Sequence, residues 1–338
     1  MNVTRRGIRD HRGALIGLVL GAGGVVGQAY QAGVLDALER EAGWDPRQAT
    51  IIVGTSAGSV TGAALRVGIP ASDLAASAHG APLSPRGAAL LQRILPADAG
   101  PLPVPSLRSL FRPWSPPSPA LLTRAAQRPW AFRPEVAAMT MVPRGRIDIT
   151  SRARGLDDMM GDTWPQGLRI CAVRRTDGAR VVFGRMGSPK ARLAEAVLAS
   201  CAIPGYFSPI AIGGMEYVDG GVHSITNADV VKAEQLDVVI VVSSMSASHG
   251  NAYGAAGFIR RSVHRRMEHE VTRLEQHGVA VIRLEPGGES RQVMGLRAMA
   301  EDRGPRVVEA AYEETRRRVR SNPFLASLGQ PVRSSAAV

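Results

Sequence analysis

Leu15-Ile16-Gly17-Leu18-Val19-Leu20-Gly21-Ala22-Gly23-Gly24-Val25-Val26-Gly27 is the stretch that decides the fold of this 338-residue chain. Leu15–Leu20 is an unbroken apolar run that stops at a cluster of glycines. A run with no polar face is the pattern of a strand buried on both sides. From Gly27 onward Tyr30, Val34, Ala37 and Leu38 recur at helical spacing, and Gly43 is placed to end that helix. The unit then repeats. Thr50–Val53 is a short β-branched run, Gly54 breaks it, and Gly58–Val67 reads as a helix. Strand, glycine turn and helix, twice in succession, imply a parallel sheet with helices on its faces.

Working outward, Leu168–Val173 and Val181–Phe183 flank Thr176-Asp177-Gly178 and read as a hairpin. Ala191–Ala199 is helical, and Met215–Val218 is a short strand that delivers Asp219. Val238–Val242 and Val279–Leu284 are further strands around a long basic helix, Phe258–His277. Glu301–Arg320 is amphipathic, with Val307, Val308, Ala311, Tyr312, Thr315 and Val319 on one face. The expected fold is one α/β domain, a mostly parallel central sheet flanked by helices, with its site at the strands' C-terminal ends. We divide the chain into a flexible basic tail (1–13), a main domain (14–285) and a C-terminal helical extension and tail (286–338).

Residues 81–145 differ in character, holding 13 of the 23 prolines. Prolines at this density exclude long helices and central strands. A long segment without regular structure inside a compact domain is a lid, a binding loop or disorder. Phe111, Trp114, Trp130 and Phe132 lie in it, either anchoring it to the core or meeting lipid. We expect this insertion to cap the site.

Aromatic residues make up only 4% of the chain, which argues against base-stacking platforms and a nucleic-acid partner. The net charge is +12, densest at Arg260, Arg261, Arg265 and Arg266 and at Arg316, Arg317, Arg318 and Arg320. It reflects either compositional bias or attraction to the phosphates of an anionic membrane surface. Cys171 and Cys201 form no metal or redox spacing; they read as two buried thiols of a reducing compartment rather than a disulfide. Arg5, Arg6, Arg9 and Arg12 before Ala14–Leu20 mimic a signal peptide, but the apolar run is at the short limit for one and enters the glycine cluster directly. A cytoplasmic location with peripheral membrane contact follows as the expectation.

Three motifs could carry chemistry. Gly54-Thr55-Ser56-Ala57-Gly58 fits G-x-S-x-G, in which a sharp strand-to-helix turn exposes a nucleophilic serine; the bland alternative is an N-capping serine. The glycines at 21–27 can present backbone N–H groups to an anion. A dinucleotide fingerprint would need glycine where Val26 stands, and no Gly-Lys-Ser/Thr follows for a P-loop. That leaves the oxyanion of an acyl intermediate, or a ligand-free turn. Asp219-Gly220-Gly221 puts a carboxylate at a strand's C-terminal end, although such a triplet alone is most often a turn.

Taken together and in this order, GAGGVVG at 21–27, GTSAG at 54–58 and DGG at 219–221 resemble the patatin-like phospholipases, as does Ala199–Phe207 before the aspartate. The resemblance spans about residues 14–245, with the proline-rich stretch unmatched. It implies a Ser–Asp dyad, with Ser56 as nucleophile and Asp219 as base. It further implies an oxyanion hole from the amides of Gly23, Gly24 and Val25. Gly21, Gly27, Gly54, Gly58, Gly220 and Gly221 support the motifs. It implies a phospholipase A-like hydrolase of lipid acyl esters, working through an acyl-enzyme without metal or organic cofactor. There are two departures: many members carry Arg or Lys where Val26 stands, and Asn-x-Pro where this chain has Asn227-Ala228-Asp229. Two rivals stay open. One is a Ser-His-Asp triad using a downstream histidine, of which His223 is nearest to Asp219 in sequence and His249, His264, His269 and His277 follow. The other is a non-catalytic nucleotide- or lipid-binding module.

Overall fold

The computed structural model describes residues 14–94, 116–127, 133–247, 255–295 and 297–329. The basic tail, the four aromatic residues of the proline-rich segment, His249 and the C-terminal tail from 330 lie outside the described residues.

The chain begins with β1 (Ile16–Leu20), α1 (Gly24–Ala42), β2 (Ile51–Thr55), α2 (Ala57–Arg66) and α3 (Ala71–His79). Three short helices follow: α4 (Pro85–Ile94), α5 (Pro119–Gln127) and α6 (Pro134–Met141). Next come α7 (Arg154–Met160), the hairpin β3 (Leu168–Arg174) and β4 (Ala179–Phe183), α8 (Leu193–Cys201), and the hairpin β5 (Ile210–Ile212) and β6 (Met215–Asp219). The chain continues through β7 (Val238–Val242), α9 (Ala255–Glu275), β8 (Ala280–Leu284), α10 (Gly288–Met294), α11 (Gly304–Ser321) and α12 (Pro323–Ala326).

All eight strands form one sheet in the order β5-β6-β3-β2-β1-β7-β8, with β4 beside β3. Strands β3, β2, β1, β7 and β8 are mutually parallel; β4 and β6 flank β3 antiparallel to it, and β5 pairs antiparallel with β6. Both faces are covered, which explains why the central strands show no polar alternation. Leu18, Leu20, Ile52, Ile170 and Ile240 pack with α1, α2, α8 and α11. Val19, Val53, Val239 and Val241 pack with Met267, Val271 and Leu274 of α9. Fully burying one such side chain contributes about 1.5–3 kcal/mol, so this two-sided core fixes which edge of the sheet carries the loops.

One detail of register places the site. β2 pairs with β3 over Leu168–Cys171, while β6 pairs with β3 over Ala172–Arg174. β4 occupies the opposite edge of β3 across Ile170–Arg174, so β2 and β6 must share one edge. They run in opposite directions along it. Their C-terminal residues, Thr55 and Asp219, therefore meet head-on opposite Cys171 and Ala172.

The proline-rich segment differs from expectation in its described parts. It carries three short helices, each opening at a proline, where the missing N–H costs nothing and the ring pre-sets the helical φ. Val136 of α6 packs on Val173 and Val218 of the sheet. Arg133 donates to the His223 carbonyl (3.0 Å), which fastens the segment to the chain just beyond Asp219. The expected helix from Glu301 begins as a 3-10 turn (Glu301–Arg303), and α11 takes over at Gly304. Both cysteines are free thiols, Cys171 buried and Cys201 half-buried. Among the described residues no helix is long and apolar enough to cross a membrane.

Candidate functional site

Ser56 sits between the last residue of β2 and the first of α2 with φ 52° and ψ −120°. A non-glycine residue held there stores on the order of 1–3 kcal/mol of strain, so the surroundings have to impose it. The Ser56 N–H donates to the Ser200 hydroxyl (2.8 Å), which in turn donates to the Cys171 carbonyl (2.7 Å). A Cβ on Gly54 would lie 2.5 Å from the Gly58 carbonyl oxygen, and one on Gly58 would overlap the Leu20 carbonyl. The two glycines of the pattern are thus required by backbone closing on backbone.

Asp219 ends β6 against this turn. Its carboxyl group accepts a hydrogen bond from the Gly221 N–H (2.7 Å), and the nearby Ser56 hydroxyl favours its charged form. Both Ser56 and Asp219 are 5% exposed. Burial pushes the Asp219 carboxyl up to about 6, and the Ser56 hydroxyl and the Gly221 N–H oppose that rise. Such a group is mostly ionised at neutral pH, yet is a far better proton acceptor than an ordinary carboxylate.

Leu20 is in register with Gly54, so the turns after β1 and β2 start side by side, about 4.8 Å apart. Buried Gln31 joins the two helices that follow, donating to the Gly21 carbonyl (2.6 Å) and accepting from the Thr61 hydroxyl (2.8 Å). The amides of the β1 turn divide into two groups. Those of Gly21, Ala22, Val26 and Gly27 donate to the carbonyls of Val242, Ile225, Ala298 and Gly23. Those of Gly23, Gly24 and Val25 have no partner among the described residues. Gly24 has φ +63°, and a Cβ there would lie 2.7 Å from the Ala298 oxygen. These three N–H groups at the start of a 19-residue helix form a positive end suited to an anion.

Asn227, noted in the sequence as a departure from Asn-x-Pro, links the two turns of the site. It is buried at φ 51° and its amide donates to the Thr55 hydroxyl (3.1 Å) and the Gly220 (3.3 Å) and Ser224 (2.6 Å) carbonyls. It therefore ties the end of β2 to the turn after β6. Arg180 donates to the Asn227 side-chain oxygen (3.1 Å) and clamps Asp229 with two bonds (2.6 and 2.7 Å). The Cys201 thiol contacts Ser59 (3.7 Å) and Ser56. Burial pushes it up to about 12, so it stays protonated and unreactive.

Among the described histidines none is hydrogen-bonded to Ser56 or Asp219. Burial, then Arg180 and Arg133, push the His223 imidazole down to about 3. No hydrogen bond joins it to Ser56 or Asp219 among the described residues. His264 pairs with Glu285 (3.0 Å), and His277 bonds the Arg273 carbonyl (2.8 Å). A cavity of about 720 Å³ lined by Trp164, Arg185, Met186, Lys190 and Glu195 lies at the start of α8. The Ser56 pair lies at the other end of that helix, about 13 Å away, so this cavity is separate from it.

A family model described as patatin-like phospholipase matches residues 18–232, more than half of the chain, and takes in all three motifs. The structure is similar to that of VipD from Legionella pneumophila, at 14% identity and a TM-score of 0.42, covering 91% of this chain and 67% of that one. No curated protein sequence matches the chain. On the strength of the family match, this chain belongs to the patatin-like phospholipases.

Proposed function

We propose that the protein hydrolyses lipid acyl esters with Ser56 as nucleophile and Asp219 as general base. Family membership supports lipid acyl hydrolase activity in general. The observation that carries the finer reading is the buried Asp219 carboxylate brought by the register of β6 beside a strained, buried elbow serine. Asp219 accepts the Ser56 proton as the oxygen adds to the ester carbonyl. The negative oxygen so formed lies against the amides of Gly23, Gly24 and Val25. Collapse of that intermediate expels the alcohol, which takes the proton back from Asp219, and leaves an acyl-serine. Water then adds to the acyl group with Asp219 again accepting the proton; collapse breaks the Ser56 ester bond, Ser56 takes that proton back from Asp219, and the fatty acid leaves. His223 supports no triad, because its imidazole is neutral among arginines and bonds neither partner.

The test is fatty-acid release from phospholipid micelles by wild type and Ser56→Ala. We expect release by the wild type and a fall to background in the variant, whose circular dichroism and melting temperature stay unchanged. Release by Ser56→Ala at more than a few per cent of the wild-type rate overturns the assignment.

A further inference from the structure

Four of the clustered arginines singled out from sequence are spent on carboxylates. Arg266 pairs with Glu135, Arg316 with Glu313, Arg317 with Glu289 and Arg320 with Glu41. Arg260 differs. Half-buried near the start of α9, it donates from Nη1 to the Ser244 carbonyl (2.9 Å). It has no carboxylate partner among the described residues. The charged or titratable groups acting on it are a second cation, Arg291, and the Tyr30 hydroxyl; burial and Arg291 weaken its hold on its proton. Arg66, also buried away from acids, is by contrast tied down at both terminal nitrogens by the carbonyls of Arg47 (2.8 Å) and Ala49 (2.6 Å).

The position of Arg260 gives its open charge a meaning. Ser244, which holds it, donates its own hydroxyl to the Ala22 carbonyl (3.0 Å) and fills the space against Gly23 and Gly27. A single residue thus separates the guanidinium from the turn whose three amides have no partner among the described residues. An uncompensated cation taken partly out of water is costly, and its attraction for an anion is stronger there than in solvent. In a glycerophospholipid the phosphate lies a few bonds from each ester carbonyl. With the carbonyl oxygen at the amides, the phosphate can reach the neighbouring guanidinium.

We propose that Arg260 reads a phosphate carried by the substrate beside its scissile ester, so that phosphate-bearing acyl esters are preferred over neutral ones with the same acyl chain. This rests on the hydrolase reading above. The residue determines specificity and takes no part in the proton transfers.

The test compares a 1-acyl glycerol phosphate with the monoacylglycerol of the same chain. Arg260→Gln should lose about ten- to a hundredfold in kcat/KM on the first, as for a lost charge-assisted hydrogen bond, and less than threefold on the second. Arg260→Lys should recover part of the loss. Equal losses on both substrates, or none on either, overturn the proposal. Binding decides it without turnover. In Ser56→Ala protein, dodecyl phosphate should bind at least tenfold more tightly than in Ser56→Ala/Arg260→Gln, and inorganic phosphate far more weakly than dodecyl phosphate. Equal binding to both proteins contradicts a phosphate contact at Arg260. Inorganic phosphate binding as tightly as dodecyl phosphate contradicts a substrate headgroup as its source. If wild type hydrolyses neither ester, the hydrolase reading fails, while the titrations still report on Arg260.

Discussion

The turns after β1 and β2 are built from the same ingredients, a buried parallel strand, several glycines and the first turn of a helix, yet they present different groups. After β2 the glycines let backbone close on backbone around one residue with a side chain, Ser56, held at positive φ. After β1 what remains is three N–H groups without a partner among the described residues. The closing partners differ as well. Gly54 and Gly58 are walled in by each other and by Leu20, close in sequence or on the adjacent strand. Gly23 and Gly27 are walled in by Ser244, and Gly24 by Ala298 and Met299. Those last residues lie beyond the family match, which stops at 232. The serine turn is thus a local device, whereas the amide turn is shaped by parts of the chain that the family pattern does not describe.

Each turn can be broken separately, and the effects should rank. The largest concerns the partner of the serine turn. Asp219→Asn keeps the shape but removes the base, and kcat should fall by about 10²–10⁴-fold; a fall of less than tenfold would mean that another group takes the proton. Next come the glycines. Gly24→Ala should cut kcat by about 10–10³-fold, the scale of losing one oxyanion donor, and should also lower the melting temperature, since its Cβ meets the Ala298 oxygen at 2.7 Å at a left-handed φ. Gly54→Ala should act mainly on folding, since its Cβ meets backbone at 2.5 Å that has nowhere to go. Normal turnover in the folded fraction of Gly24→Ala, or normal melting with slow turnover in Gly54→Ala, would reverse the distinction.

The smallest effect is on stability. The Asp219 carboxyl is near 6 in the folded protein and near 3.9 in an unfolded chain. Below about pH 4 both states are protonated and burial costs nothing extra. Between about pH 4 and 6 the unfolded chain ionises first, so stability falls, and above 6 the deficit is constant. Two pH units correspond to about 3 kcal/mol. Asp219→Asn should therefore be more stable than wild type by up to about 3 kcal/mol at pH 8 and no more stable at pH 4. Denaturant melts at the two pH values check this; a gain of equal size at both would remove charge burial as its cause.

Much of the parallel half was legible in the sequence. β1, β2 and β7 are continuous apolar runs because both faces are covered, and β7 was read to the residue as Val238–Val242. Helix α3, Ala71–His79, escaped notice because Ala-Ser-Asp-Leu-Ala-Ala-Ser has almost no large apolar residue to mark a period. The helices of the proline-rich segment were missed because proline was read as a breaker, when at Pro85, Pro119 and Pro134 it opens a helix. In the site, Ser56 and Asp219 stood out because short motifs carry them. Gln31, Ser200, Asn227 and Ser244 did not, since each is a polar residue whose partners are remote in sequence. Only Asn227 left a trace, in the tolerance of asparagine for the left-handed conformation.

The central claim, that Ser56 is a nucleophile activated inside this fold, is tested most directly by a fluorophosphonate probe followed by peptide mapping. The account predicts a single phosphonylated residue, Ser56, labelled rapidly in wild type, slowly in Asp219→Asn and not at all in Ser56→Ala. Labelling of a different serine, or undiminished labelling of Ser56→Ala, would contradict it.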